Sequence, residues 1–305
     1  MAQEAISSAP VRTGVPFSLA RVWAIATNTF VEATRQKVFL IVLLVCVFIL
    51  ASSRFFTQFG FQDQLKMIKD IGLGVIAFGG MVIAIILTAQ LLASEVENRT
   101  IYTILSKPVW RLEFILGKFV GMVLLMLASV LLMSAVFVLV LFYMERVLIS
   151  ETLAGFGMAA DQTGLATNEM VIQQIKAQVR DLNLIKAVLL AFTKLVLVTA
   201  IAMFVASIST SMIFTVFISF CIYIMGHLQS SAREMWQDQG TVLAKFGMFM
   251  VAFFIPDLQS FNLIDDIIVG NVITWAHTLK VLGYGVGMTA LIMALAYSIF
   301  YYKEI

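Results

Sequence analysis

The sequence predicts an all-α integral membrane protein with six transmembrane helices, and composition and charge patterning carry that prediction. Of the 305 residues, 61% are hydrophobic and only 12% are charged, whereas soluble domains carry about 25% charged residues. Several apolar stretches exceed the roughly 18 residues that mark a spanning helix. The net charge of +2 is too small to indicate nucleic-acid binding.

The N-terminal part is predicted to lie outside the hydrocarbon. Residues 1–16 contain no apolar run and are expected to be disordered. Residues 17–37 mix apolar and charged side chains, which is typical of an amphipathic helix lying in the membrane interface, with Trp23 at headgroup depth. Residues 17–305 are taken as one transmembrane domain.

Six charge-poor stretches are predicted to cross the bilayer. The first is short, but Lys37 and Arg54 flank it and can reach the headgroups. Residues 195–227 contain no formal charge and would stretch about 48 Å as one helix, so the chain must fold back at "SISTS", residues 207–211. The predicted spans are about 38–56, 71–94, 119–144, 185–207, 212–229 and 281–302.

A further apolar piece precedes the last span. Residues 246–255 are too few to cross a bilayer, and Pro256 ends the run. We therefore predict a re-entrant hairpin over 241–272, since non-helical backbone is tolerated at depth where protein or water covers it. The alternative is a crossing by 246–256, which makes seven spans and places the C-terminus outside.

Lysine and arginine set the predicted orientation. They are concentrated in 94–118 and just before the first span, which places the N-terminus, the 95–118 segment and the C-terminus in the cytoplasm. Residues 145–184 then form an external insert. Within it, 170–182 carries apolar residues at helical spacing and predicts an amphipathic cap.

The connection between the second and third spans concentrates charge in an otherwise apolar chain. Glu95 and Arg99 are spaced i, i+4, in the favourable order for a helical ion pair. Pro108 disfavours helix at the preceding residue, so the chain turns there. Lys118 is expected to reach the headgroups from the start of the third span. A short helical hairpin over 95–118 results.

The stretch "ASEVENRTIYTILSKPVWRLEFILGKFVG" resembles the signature between helices two and three of ATP-binding-cassette (ABC) transporter permeases of the second exporter class. That pattern has an acidic pair, a threonine, a Leu-Ser-x-Pro turn, an arginine and a Gly-Lys pair. A second stretch, "IPDLQSFNLIDDIIVG", is similar to the segment before the last helix in the subgroup that contains the nitrous-oxide-reductase maturation permease. The positions that fill the first pattern are Glu95, Glu97, Thr100, Leu105, Ser106, Pro108, Arg111, Gly117 and Lys118.

The resemblance implies that the hairpin docks on a separate ABC ATPase subunit, with "SISTS" as a smaller contact, and that two permease copies, identical or related, pair in a bacterial inner (plasma) membrane. The chain lacks a G-x-x-x-x-G-K-[ST] phosphate loop. ATP and magnesium are therefore expected on the partner, with no catalytic residue or cofactor in this chain. The candidate ATPase-coupling residues are Glu95, Glu97, Arg99, Thr100, Ser106, Pro108, Arg111 and Lys118.

Lys194 falls near the bilayer centre of the fourth predicted span. A buried ammonium is costly and indicates function, so Lys194 is the candidate for the translocation path; the alternative is a wet seam between subunits. Thr193, Thr199, backbone carbonyls or water are its expected partners. A self-sufficient channel or ion-coupled carrier, with Lys194 as the intramembrane charge, is the alternative function, and an inert membrane anchor is the third.

The remaining motifs are interpreted as packing features. Gly117 with Gly121, and Gly283 with Gly287, are small-residue pairs that let helices approach closely, within the subunit or between subunits. No metal site is predicted: His227 and His277 are 50 residues apart, and two lone histidines are usually unconnected. Cys46 and Cys221 lie in apolar runs without ligand-like neighbours.

Overall fold

The computed structural model describes residues 17–52, 61–93, 110–156, 162–209, 211–238, 255–263, 267 and 273–302. The regular structure of this part of the chain is entirely helical. The elements are α1 (Leu19–Thr34), α2 (Lys37–Ser52), α3 (Phe61–Thr88), a π-helical turn (Ala89–Ala93), α4 (Arg111–Phe156), α5 (Gln162–Val179), α6 (Asn183–Ile208), α7 (Met212–Asp238), a 3-10 turn (Gln259–Phe261) and α8 (Trp275–Tyr302).

Five helical stretches in the described residues are long and apolar enough to cross a membrane, and there are six if α1 and α2, which meet at a 65° bend, count as one. This is the architecture of a multi-pass membrane protein. The longest helix, α4, has 46 residues and measures about 69 Å, more than twice a hydrocarbon core of about 30 Å. It therefore projects beyond the membrane. The five stretches are Gln64–Leu92, Arg111–Ser150, Met170–Ile208, Met212–Ser230 and Trp275–Phe300.

Helix α3 packs closely against three neighbours because its glycines admit them. A Cβ added at Gly72 would overlap the ring of Phe137 on α4, and one at Gly80 would overlap the side chain of Leu195 on α6. On a third side, Gly79 faces the thiol of Cys46 on α2. Close backbone approach at small residues is the usual way in which membrane helices pack without a hydrophobic driving force.

Helices α6 and α7 differ sharply in burial. In the most apolar part of the stretch that includes α6, 72% of residues are buried, against 22% in that of α7. Helix α7 instead presents a broad apolar face outward, with Phe214, Phe217 and Ile224 exposed. Between the two helices, the Ser209 hydroxyl accepts the Ser211 N–H at 3.0 Å.

Helix α1 packs along the first turns of α4 and runs in the same direction. Its buried residues, Val22, Ala26, Thr29 and Ala33, recur every three or four positions and form one stripe. Trp23, on the other side, is 58% exposed. The helix ends at the bend before α2, where the N–H groups of residues 35 and 36 bond back to the last turn.

An irregular segment, residues 255–263, enters the bundle between α7 and α8. The N–H of Leu258 donates to the Gly226 carbonyl in the middle of α7 at 3.0 Å. Leu258, Phe261 and Leu263 are buried. Protein therefore covers this non-helical backbone, which is the condition for irregular chain at membrane depth.

Helix α5 folds back along the end of α4. We call this end of the bundle, opposite the start of α4, the far end. The Arg180 guanidinium lies 3.5 Å from the Glu145 carboxylate. The insert predicted over 145–184 thus consists of the last turns of α4, helix α5 and the turn that leads into α6.

Candidate functional site

Three charged residues at the start of α4, namely Arg111, Glu113 and Lys118, bind three different parts of the bundle, and we call them the α4 base. They directly follow residues 94–109 in the chain, and we call this end of the bundle the hairpin end. The first N–H groups of a helix have no partner within the helix and need acceptors from elsewhere. Glu113, in the first turn of α4, is one such acceptor.

Glu113 joins α1 to α4. Its Oε1 accepts the N–H of Ser18 at 2.7 Å and a guanidinium N–H of Arg21 at 2.9 Å. Its Oε2 accepts the N–H of Trp110 at 3.2 Å, as the third residue of a helix does in a capping box. The Glu113 side chain is fully buried, whereas that of Arg21 is 25% exposed. The carboxylate therefore has a donor on each oxygen and fixes both helix starts.

Arg111 and Lys118 bind main-chain oxygens of two other elements. Arg111 donates to the carbonyl of Phe300, on α8, at 3.2 Å. The ammonium of Lys118 donates to the Leu91 carbonyl, in the π-helical turn, at 3.1 Å and lies 5.4 Å from the ring centre of Phe114. Both cations therefore have a main-chain oxygen acceptor, which offsets part of the cost of burying a charge.

A second hydrogen bond holds the π-helical turn. The side-chain amide of Gln90 donates to the Gln36 side-chain oxygen at 3.0 Å, and Gln36 lies at the bend between α1 and α2. Single π-helical turns inside α-helices often lie at functional positions. Here the turn immediately precedes the predicted hairpin in the chain.

The structure thus describes both ends of the predicted hairpin but not its tip. Arg111 and Lys118 both bind within the chain. Lys118 is only 5% exposed and turns inward, whereas the sequence suggested that it reaches the headgroups. Six of the candidate coupling residues lie outside the described residues: Glu95, Glu97, Arg99, Thr100, Ser106 and Pro108.

Glu113 is the residue that sequence reasoning missed. It stands three positions after Trp110 and five after a helix-breaking proline, and that spacing is the signal that could have revealed a capping carboxylate. Its ion pair with Arg21 spans 92 positions and has no local signature.

The two glycine pairs occupy different surroundings. A Cβ at Gly117 would lie 3.0 Å from the Val22 carbonyl oxygen, and one at Gly121 would lie 2.6 Å from that of Ala26. Both therefore face the α1 backbone. Around Gly283 and Gly287 no atom of another described element lies within 4 Å of such a Cβ, so the described part of the chain leaves this side of α8 open.

Lys194 lies in the middle of α6 and faces α7. It is 4% exposed. Its ammonium lies 3.4 Å from Nδ1 of His227 and 5.3 Å from the ring centre of Tyr223, and the two rings stack at 6.0 Å. We call Lys194, Tyr223 and His227 the Lys194 cluster.

The partners suggested by the sequence for Lys194 are engaged with their own helix. The Thr193 hydroxyl donates to the Leu189 carbonyl at 3.0 Å, and the Thr199 hydroxyl donates to that of Leu195 at 2.8 Å. Such i−4 bonds are common for threonine in helices. Among the described residues, the hydrogen-bond partner of Lys194 is instead His227, 33 positions away.

Asp257 introduces the irregular segment. Its carboxylate accepts the N–H groups of Gln259 and Ser260 and the hydroxyl of Ser260, at 3.1, 3.3 and 2.9 Å. Its own N–H donates to the hydroxyl of Tyr284, on α8, at 2.9 Å. The Asp257 carboxylate therefore accepts local hydrogen bonds that shape the irregular segment, residues 255–263.

Two apolar clefts lie on either side of Phe192, with volumes of about 290 and 370 Å³. The first separates α4 from α6, and the second is bounded by α4, α6 and α8. Lys194 lines neither cleft. Their apolar linings suit acyl chains or a packed helix, not a polar solute.

The described residues contain no group of three or more histidine, cysteine, aspartate or glutamate side chains that could hold a metal ion. The chain matches no model of a known protein family and no curated protein. The α4 base can hold helix ends in a fixed arrangement, and the Lys194 cluster can supply hydrogen-bond donors inside the membrane.

Proposed function

We propose that this chain is the membrane-spanning permease subunit of an ATP-driven ABC exporter and that a separate ATPase subunit acts on it through residues 95–118. The observation that carries the proposal is the α4 base, which connects the hairpin end of α4 to α1, to α8 and to the end of α3. The resemblance of the 93–121 stretch to permeases of the second exporter class supports the same role.

The contacts suggest how a push on the hairpin would spread. Lys118 holds the end of α3 against the start of α4, so the two ends of the hairpin move together. Glu113 would carry the displacement to α1, and Arg111 would carry it to α8. Because α4 is one continuous helix of 46 residues, tilting its base would also move the far end.

The finer topology belongs to this proposal. It has six spans, with N- and C-termini in the cytoplasm of a bacterial inner membrane and two permease copies in the assembly. A re-entrant segment over 241–272 precedes the last span; the buried path of residues 255–263 between α7 and α8 supports it. The exposed glycines Gly283 and Gly287 offer a close-packing surface for the second copy.

The first experiment compares a charge reversal at each end of the bundle. The chain is expressed together with candidate ABC ATPase subunits of its source, and the ATPase that co-purifies is quantified. Arg99→Glu should reduce the co-purified ATPase at least tenfold, because it reverses a charge on the docking surface. Arg146→Glu is the matched control, since Arg146 is exposed on the far part of α4.

The outcome separates the proposal from its rivals. Equal ATPase retention by the two variants would contradict docking at the hairpin. Labelling of the hairpin from outside intact cells would overturn the orientation. A purified chain that transports without any ATPase would replace the proposal as a whole.

That last outcome favours the second candidate, a self-sufficient channel or carrier. The buried Lys194, placed mid-helix beside His227, is the observation in its favour, since intramembrane ionisable groups often line transport routes. Flux through the chain alone in liposomes, abolished by Lys194→Met, would support it.

A further inference from the structure

We propose that the Lys194 cluster binds a singly charged oxyanion, the chemistry shared by a carboxylate and a lipid phosphate group. The argument begins with the donors. An ammonium can donate three hydrogen bonds, and within the described chain that of Lys194 makes one, a long contact of 3.4 Å to Nδ1 of His227. The Tyr223 ring at 5.3 Å adds attraction by its face but accepts no full hydrogen bond.

Within the described residues, the charge of Lys194 also has no acidic partner. The two ion pairs found in the described residues, Arg21–Glu113 and Arg180–Glu145, lie at the two ends of the bundle. The carboxylate of Asp257 is taken up by three local donors. Buried charges in proteins are normally paired, so the cluster has a place for an anion.

A second lysine on the same helix shows what a satisfied site looks like. Lys186 is 6% exposed and lies 4.8 Å from the ring centre of Trp275, so its burial and its aromatic contact match those of Lys194. Unlike Lys194, it also donates to the Ile273 carbonyl at 2.6 Å and to the Asn183 side-chain oxygen at 3.0 Å. The two lysines therefore differ in oxygen acceptors rather than in burial.

The cluster is reached from the edge of α7. Tyr223 and His227 are partly exposed and border the apolar outward face that contains Phe220 and Ile224. With Nδ1 accepting from Lys194, the neutral imidazole carries its proton on Nε2 and is a second donor. An oxyanion would take the free ammonium donors, and an attached apolar chain would lie along α7.

The test measures ligand binding by the purified chain in phosphatidylcholine nanodiscs, using acetate, octanoate and octanol as probes. We expect octanoate, and acetate at higher concentration, to raise the thermal unfolding midpoint of the wild type. Lys194→Met should weaken binding at least tenfold. Lys186→Met is the matched control and should bind within twofold of wild type.

The probes also separate two sources of the anion. Equal half-saturation by acetate and octanoate identifies a free oxyanion, whereas tighter binding of octanoate identifies an amphiphile such as a lipid. A similar shift with octanol, or wild-type affinity in Lys194→Met, would overturn the site. If Lys194→Met does not fold, Lys194→Gln removes the charge while keeping polarity and must show the same loss.

The inference rests on the proposed function only where it takes the anion as cargo. Binding is measured on the permease alone, so a failure there would leave ATPase docking at the hairpin untouched. Conversely, loss of ATPase co-purification in Arg99→Glu would not alter the affinity for octanoate.

Discussion

The α4 base and the Lys194 cluster both contain buried cations, but the two sites differ in the hydrogen-bond acceptors that these cations meet. At the α4 base, Arg111 and Lys118 each donate to a main-chain oxygen. In the Lys194 cluster, the ammonium contacts a ring nitrogen at 3.4 Å and an aromatic face. The cations of the α4 base thus have oxygen acceptors, whereas the Lys194 ammonium keeps hydrogen-bond donors available.

The acceptors within reach explain the difference. Lys118 and Arg111 meet main-chain oxygens of the π-helical turn and of α8. Lys194 lies in the middle of α6 and faces the middle of α7, and the partner that the structure gives it is the ring nitrogen of His227. The buried cations of the α4 base therefore have oxygen acceptors, whereas Lys194 leaves room for a further partner.

Among the substitutions that test this comparison, we expect Glu113→Ala to cause the largest loss of stability. Glu113→Ala removes a fully buried carboxylate and leaves Arg21 and the N–H groups of Ser18 and Trp110 without it. Breaking a buried ion pair costs about 3–5 kcal/mol. Because Arg21 is 25% exposed, we expect about 3 kcal/mol, measured as the free energy of unfolding in mixed micelles.

Glu145→Ala is the control for that measurement. Glu145 is also buried, but its partner Arg180 is 65% exposed and 3.5 Å away. Solvated pairs contribute about 0–1 kcal/mol, so we expect a loss below about 1 kcal/mol. Equal losses of stability in Glu113→Ala and Glu145→Ala would show that Glu113 contributes no more than a solvated ion pair does.

The next effect is expected at the two lysines of α6. Lys186→Met would leave the Ile273 carbonyl and the Asn183 amide oxygen without their donor, and unsatisfied buried groups cost about 1–3 kcal/mol. We expect a loss of about 2 kcal/mol. Lys194→Met removes a charge with one long hydrogen bond, so its free energy of unfolding without ligand should change by less than about 1 kcal/mol. A larger loss in Lys194→Met than in Lys186→Met would contradict the view that Lys194 is unsatisfied.

The sequence predicts the class of this fold better than its contacts. The apolar runs indicate the long helices because covering the backbone in lipid requires them. The partners of the charges depend on pairs far apart in the chain, such as Arg111 with Phe300 and Lys118 with Leu91. Hydropathy contains no such information, which is why Lys118 was expected to face the headgroups.

The same limit applies to the candidate site. The mid-helix place of Lys194 follows from the length of the uncharged run, so its importance could be inferred from the sequence. Its neighbour His227 could not, because the pairing depends on the rotation of α6 against α7. Glu113 was missed because a carboxylate in a stretch that also contains Arg111 and Lys118 is typical of a solvated loop as well as of a helix cap.

The smallest effect concerns the two glycine pairs. Gly121→Ala would place a methyl group against the Ala26 carbonyl oxygen and Thr29, so α1 must move away from α4. Overpacking costs about 1–3 kcal/mol, and we expect about 1 kcal/mol, because α1 lies at the edge of the bundle and can shift. The check is the free energy of unfolding, together with crosslinking between α1 and α4.

Gly287→Ala is the matched change on α8, where the single chain leaves open space. Alanine favours helix over glycine by up to about 1 kcal/mol, so the monomer should gain a few tenths of a kcal/mol in stability. If a second copy packs on this face, the same methyl group would separate the copies and shift the protein from dimer to monomer. If the dimer is lost while the monomer keeps its stability, this face of α8 is the subunit interface. If neither the stability nor the oligomeric state changes, this face contacts lipid.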